Sequence, residues 1–64
     1  MWIIIRGVRY NFNQIGFYYA LGKKVYLVDV TLDRAEEINI ICESPVEANE
    51  LVEQIDTRTA AQTL

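Results

Sequence analysis

The 64-residue chain has room for one domain, and a chain of that length buries only about 60% of the surface its unfolded form exposes. A single cysteine, Cys42, excludes an internal disulfide, and the absence of histidine leaves weak options for a metal, so association is the remaining route to added stability. The formal charge of -3 divides unevenly: residues 1–28 hold four cations and no acid, whereas residues 29–64 hold nine acids against Arg34 and Arg58, a balance that disfavours nucleic acid as a general partner.

The chain opens on Trp2 to Ile5, an aromatic followed by a β-branched run that is too short for a helix and reads as a strand ended by Arg6-Gly7. Val8 to Phe12 continues as its hairpin partner until Asn11-Phe12-Asn13-Gln14 breaks the pattern, since asparagine side chains compete with the ladder for backbone groups. Ile15 to Leu21 alternates Ile15, Phe17, Tyr19 and Leu21 with Gly16, Tyr18 and Ala20. Val25 to Thr31 follows across Gly22-Lys23-Lys24, completing a second hairpin. Asp29 shares a face with Val25 and Leu27, so Tyr26, Val28 and Val30 are expected in the core and Val25 and Leu27 outside it.

Leu32 to Glu36 is a polar connection, after which Glu37 to Cys42 forms a strand with Ile38, Ile40 and Cys42 on one face. Short links between successive strands favour antiparallel pairing, because a parallel crossover needs a dozen residues or more. Ser44-Pro45-Val46-Glu47 then starts a helix: the serine accepts from the third helical residue, the glutamate reaches back to the cap, and proline takes the first position, where no N–H is needed. Ala48, Leu51, Val52 and Ile55 make one apolar stripe, and Glu43, Glu47, Glu50, Glu53 and Asp56 leave the remainder acidic.

These elements predict an α+β domain, an antiparallel sheet of three to five strands packed against one C-terminal α-helix, with a compact body over 1–56 and a flexible tail over 57–64. The expected core is Ile3, Ile5, Ile15, Phe17, Tyr19, Tyr26, Val28, Val30, Ile38 and Ile40, covered by the helix stripe. The opposite face would show Trp2, Ile4, Tyr18, Val25, Leu27 and Ile41. A hydrophobic fraction of 52% exceeds what one sheet face and one helix stripe need, so this second face is expected to bind another copy, giving a homodimer or higher homo-oligomer.

Nucleophilic catalysis lacks a credible base without histidine, and Cys42 falls in register with Ile38 and Ile40 as a buried hydrophobe, so no enzymatic function or cofactor is expected. Asp29, Asp33, Glu36 and Glu37 cluster in sequence but lack the spacing of a calcium loop, and no metal site is expected. Arg6, Arg9, Lys23 and Lys24 accompany Tyr10 and form a candidate patch for an anionic, nucleotide-like ligand. No apolar run approaches the roughly 18 residues of a membrane span and the chain begins without a basic leader, so a cytoplasmic location is expected.

The opening Met1-Trp2-Ile3-Ile4-Ile5, the Tyr10-Asn11 before Ile15, and Ser44-Pro45-Val46-Glu47-Ala48 before Leu51 and Ile55 resemble a diffuse class of short bacterial and phage proteins. Those are stand-alone sheets with one C-terminal helix, some of them pleckstrin-homology-like in outline. The resemblance implies a prokaryotic or viral source and no particular activity. Two functions follow as expectations. The first is a non-catalytic module that self-associates through an apolar sheet face or edge. Its rival is a small ligand-binding or inhibitory protein, of the phage-encoded kind, that captures a nucleotide-like anion or blocks a host protein.

Overall fold

The computed structural model describes residues 1–31 and 35–64, and the expected Leu32–Arg34 part of the polar connection lies outside them. Two antiparallel sheets and one helix make an α+β fold: β1 (Trp2–Ile5) pairs with β2 (Val8–Asn11), and β3 (Ile15–Leu21), β4 (Lys24–Asp29) and β5 (Glu36–Ile41) form a second sheet in that order, followed by α1 (Pro45–Thr59). Both hairpins turn through two residues. Arg6 and Gly7 have φ of 51° and 80°, the doubly left-handed geometry whose twist suits a tight hairpin, and Gly22 at φ 61° opens the turn that sets Leu21 opposite Lys24.

The helix begins as its sequence signal requires. Ser44 is extended and its Oγ accepts from the N–H of Glu47 at 3.1 Å, while Pro45 occupies the first turn. The Glu47 carboxylate reaches back one residue further than the expected cap contact, accepting from the N–H of Glu43 at 3.2 Å. At the other end the helix runs through Thr59, so the first three residues of the expected tail are helical. Ala60 terminates it in the left-handed region at φ 56°, where its own N–H and that of Ala61 both donate to the Asp56 carbonyl.

The helix lies on β3 and β4. Val25 and Leu27 of the central strand are fully buried beneath it and join Ile5, Ile40, Cys42, Ala48 and Ile55 in one cluster. Ile3, Tyr10 and Phe12 of the N-terminal hairpin and its exit, together with Tyr18, Ala20, Ile38, Leu51 and Val52, pack around that cluster. The hairpin is fastened to the rest by Arg6, whose guanidinium donates to the Ile41 carbonyl and to Glu47 Oε1 at 2.7 Å.

This arrangement reverses most of the expected sides of β4. Val25 and Leu27 point into the core, whereas Val30 is 49% exposed beyond the strand and Tyr26 is only half-buried; Val28 is buried as expected, at 3% exposure, but in the row of Phe17 and Glu37 rather than in the cluster beneath the helix. Phe17 and Tyr19, expected inside, are 54% and 38% exposed. The reason lies at the end of the strand: the Asp29 carboxylate is occupied locally, accepting from the N–H and Oγ1 of Thr31 at 2.9 and 2.6 Å. An acid that satisfies itself in a turn at a strand terminus says nothing about which way the strand interior faces.

Candidate functional site

Cross-strand register sorts the larger sheet into two faces. Toward the helix, Ala20, Val25 and Ile40 form one row and Tyr18, Leu27 and Ile38 the next. Tyr18 completes this side by donating its hydroxyl to Asp56 Oδ1 at 2.7 Å, with Thr59 Oγ1 at 3.1 Å. Burial raises the Tyr18 phenol above its ordinary pKa, the Thr59 contact opposes that, and the Asp56 carboxylate adds to it. Three residues of the expected association surface, Tyr18, Val25 and Leu27, are therefore inward.

The outer face carries Leu21, Lys24 and Ile41 in one row, Tyr19, Tyr26 and Asn39 in the middle, and Phe17, Val28 and Glu37 at the far end. Leu21 and Ile41 are 66% and 65% exposed. Among the described residues the helix lies on the other side, and although Val28 is closed off at 3% exposure, Phe17, Leu21 and Ile41 leave more than half of their surface open here, the kind of exposed apolar surface that marks an interaction site. Phe17 stacks on Tyr19 at 6.3 Å between ring centroids, and Tyr19 on Tyr26 at 4.9 Å, with interplanar angles of 13° and 18°. Rings stacked side by side in this way present their edges outward, which suits packing against side chains better than receiving a flat base. Tyr19 reaches Glu37 Oε1 at 3.5 Å, and its phenol is raised by desolvation first and then by the Glu37 charge.

The basic candidates divide. Arg6 is committed to Glu47 and the Ile41 carbonyl, and Tyr10 pairs with Ile3 and packs on the core. Arg9 sits opposite Ile4 on the other face of its hairpin. Lys23 is in the β3–β4 turn and Lys24 opens β4, and the turn is tied to the residue after β5, where the N–H of Cys42 donates to the Lys23 carbonyl at 2.7 Å. Arg6 and this turn thus come to the same end of the molecule through Ile41 and Cys42, while Arg9 and Tyr10 diverge to opposite faces of the N-terminal hairpin. Trp2 and Ile4 are 67% and 59% exposed and border a cavity of about 380 Å³ with Met1, Ile3 and Arg58.

Comparison of the chain with protein-family models, with curated proteins and with solved structures finds no match. Among the described residues no helix is long and apolar enough to cross a membrane. Sequence reasoning missed Phe17, Tyr19 and Tyr26 as surface residues because it placed them in the core. The available signal was Lys24, which alternates with Tyr26 and Val28 and marks their side as the outer one once the strand is begun at position 24 rather than 25.

Proposed function

We propose that this chain is a non-catalytic interaction module whose outer sheet face packs on a second copy of itself. The observation that carries this reading is the uncovered, stacked row of Phe17, Tyr19 and Tyr26, flanked by Leu21 and Ile41, on the side of the sheet away from the helix. Charge favours a second copy over an unrelated partner. Lys24 lies in one end row of the face and Glu37 in the other. A two-fold axis across the strands superimposes opposite ends, bringing each lysine within about one strand spacing, ~4.8 Å laterally, of the second copy's glutamate.

Face-to-face sheet packing of this kind removes apolar side chains from water at about 25 cal/mol per Å². It also supplies the burial that a chain of this length lacks alone. A face of three short strands sits at the small end of stable interfaces, so the association is expected to be concentration-dependent. Sedimentation equilibrium over a broad concentration range tests it. The wild type is expected to approach twice the monomer mass, and Phe17→Asp, which adds a second acid to the row that holds Glu37, is expected to remain monomeric with an unchanged circular dichroism spectrum. A wild type that stays monomeric at millimolar concentration, or a Phe17→Asp variant that dimerises as well as the wild type, removes this face from the reading.

A further inference from the structure

The cavity beside β1 has a property that the outer sheet face lacks, because one of its walls is a strand edge. The N–H of Phe12 donates to the Met1 carbonyl at 2.8 Å, and Ile5 and Val8 close the two-residue turn, so Met1, Ile3 and Ile5 are the residues whose backbone groups face β2. By alternation, the N–H and C=O groups of Trp2 and Ile4 point the other way. β1 pairs with no strand but β2, and among the described residues no hydrogen bond reaches the backbone of Trp2 or Ile4. An unpaired edge of this kind is a template for another strand.

Across the cavity stands Arg58 in the last turn of α1. Among the described residues Arg58 joins no ion pair, whereas Arg6, which does bridge hairpin and helix, is bound to Glu47. The groove therefore combines backbone donors and acceptors spaced two residues apart, exposed apolar side chains of Trp2 and Ile4, and one cation whose fork geometry fits a carboxylate.

We propose that this groove binds an extended peptide segment of a partner, which adds to the edge of β1 and places a carboxylate on Arg58. Main-chain bonds to Trp2 and Ile4 hold the segment in strand conformation, its alternate side chains rest on Trp2 and Ile4, and Arg58 sets its register. The site is independent of the outer sheet face, so either can fail without the other.

Trp2 is the sole tryptophan and reports directly on the groove. The probe is a mixed-sequence pool of N-acetylated pentapeptides rich in valine and threonine, with a free C-terminal carboxylate. A second pool carries a C-terminal amide with an internal glutamate, and a third has alternate backbone amides N-methylated. The free-acid pool, the glutamate pool or both are expected to shift Trp2 fluorescence and to move and protect the Trp2 and Ile4 amides in nitrogen–proton spectra, the stronger pool showing which carboxylate Arg58 receives. The methylated pool is expected to do neither. Arg58→Gln is expected to weaken the effect at least tenfold, with partial recovery in Arg58→Lys. No change at Trp2 and Ile4 with either carboxylate pool at millimolar concentration overturns the proposal. So does equal binding by the methylated pool, or undiminished binding by Arg58→Gln.

Discussion

The two faces of the β3–β4–β5 sheet are built from similar residues and do different things. On the side of the helix, Val25, Leu27 and Ile40 are withdrawn from water almost completely. On the other side, Phe17, Leu21 and Ile41 keep more than half of their surface in it. Hydrophobicity does not separate the two sets. What separates them is the position of the helix, which covers one face and leaves Phe17, Leu21 and Ile41 exposed on the other, among Lys24, Asn39 and Glu37. A sheet that is apolar on both sides and covered on one is a half-finished sandwich, and the bare side is where a further layer adds stability.

The sharpest way to break this comparison is to place one charge on each face. Leu27→Asp puts a carboxylate at a fully buried position with no partner, at a cost of several kcal/mol, comparable with the whole stability expected of a domain this small. The variant is expected to lose its folded near-ultraviolet dichroism and dispersed amide spectrum altogether. Leu21→Asp on the outer face, at 66% exposure, is expected to stay folded within about 0.5 kcal/mol of the wild type as a monomer. Urea unfolding of the pair checks this, and equal tolerance of both substitutions would mean that the helix does not cover Leu27 in solution.

Much of this architecture is legible in the chain. Every strand and the helix begin or end within a residue or two of where the sequence places them, because the punctuating chemistry is local: Arg6-Gly7 and Gly22 for the turns, Ser44-Pro45 for the helix start. The sides of the strands are less legible, since they depend on which face a distant helix chooses. In β4 both alternations are apolar, Val25 and Leu27 against Tyr26 and Val28, and Val28 is itself only 3% exposed on the outer face. With no polar contrast inside the strand, Asp29 at its end decided the expected orientation, and its carboxylate is engaged in a turn. The end of the helix was hidden for a related reason: Thr57 and Thr59 are weak helix formers, yet their hydroxyls bond back to the Glu53 and Ile55 carbonyls, and Thr59 is held by Tyr18. The groove beside β1 was invisible because Arg58 is more than fifty residues from Trp2 and Ile4 in the chain.

A second test concerns the bulge that sets the register of β3. Pairing shifts by one residue between Ile15 and Phe17, and Gly16 lies at the shift. A Cβ on Gly16 would stand 2.5 Å from Val30 Cγ2 and 2.8 Å from Cγ1, so alanine there forces the valine or the strand aside. Gly16→Ala is expected to cost about 1–3 kcal/mol, and Val30→Ala, which removes both of the contacting methyl groups, to restore most of it in the double variant. Additive effects in that cycle would place the strain of the bulge elsewhere than against Val30.

The smallest expected effect compares two adjacent tyrosines that the sheet sends to opposite sides. Both phenols are raised above the ordinary tyrosine value, Tyr18 by burial against the helix and Tyr19 by desolvation and the Glu37 charge. A phenol whose folded pKa lies above its unfolded one binds its proton more tightly when folded, so the stabilisation is complete below about pH 10 and declines as the pH rises through the folded value. The two should nevertheless behave differently on removal. Tyr18→Phe deletes the hydroxyl that joins β3 to Asp56 and Thr59, and is expected to cost on the order of 1 kcal/mol at neutral pH and to flatten the alkaline fall in stability. Tyr19→Phe removes only a long contact to an exposed carboxylate, leaves the ring stack intact, and is expected to be nearly neutral at pH 7. Urea denaturation of both variants between pH 7 and 11 makes the measurement. If Tyr19→Phe were the costlier of the two, the outer face would already be covered in the folded state, because only burial makes the loss of so weak a hydrogen bond matter.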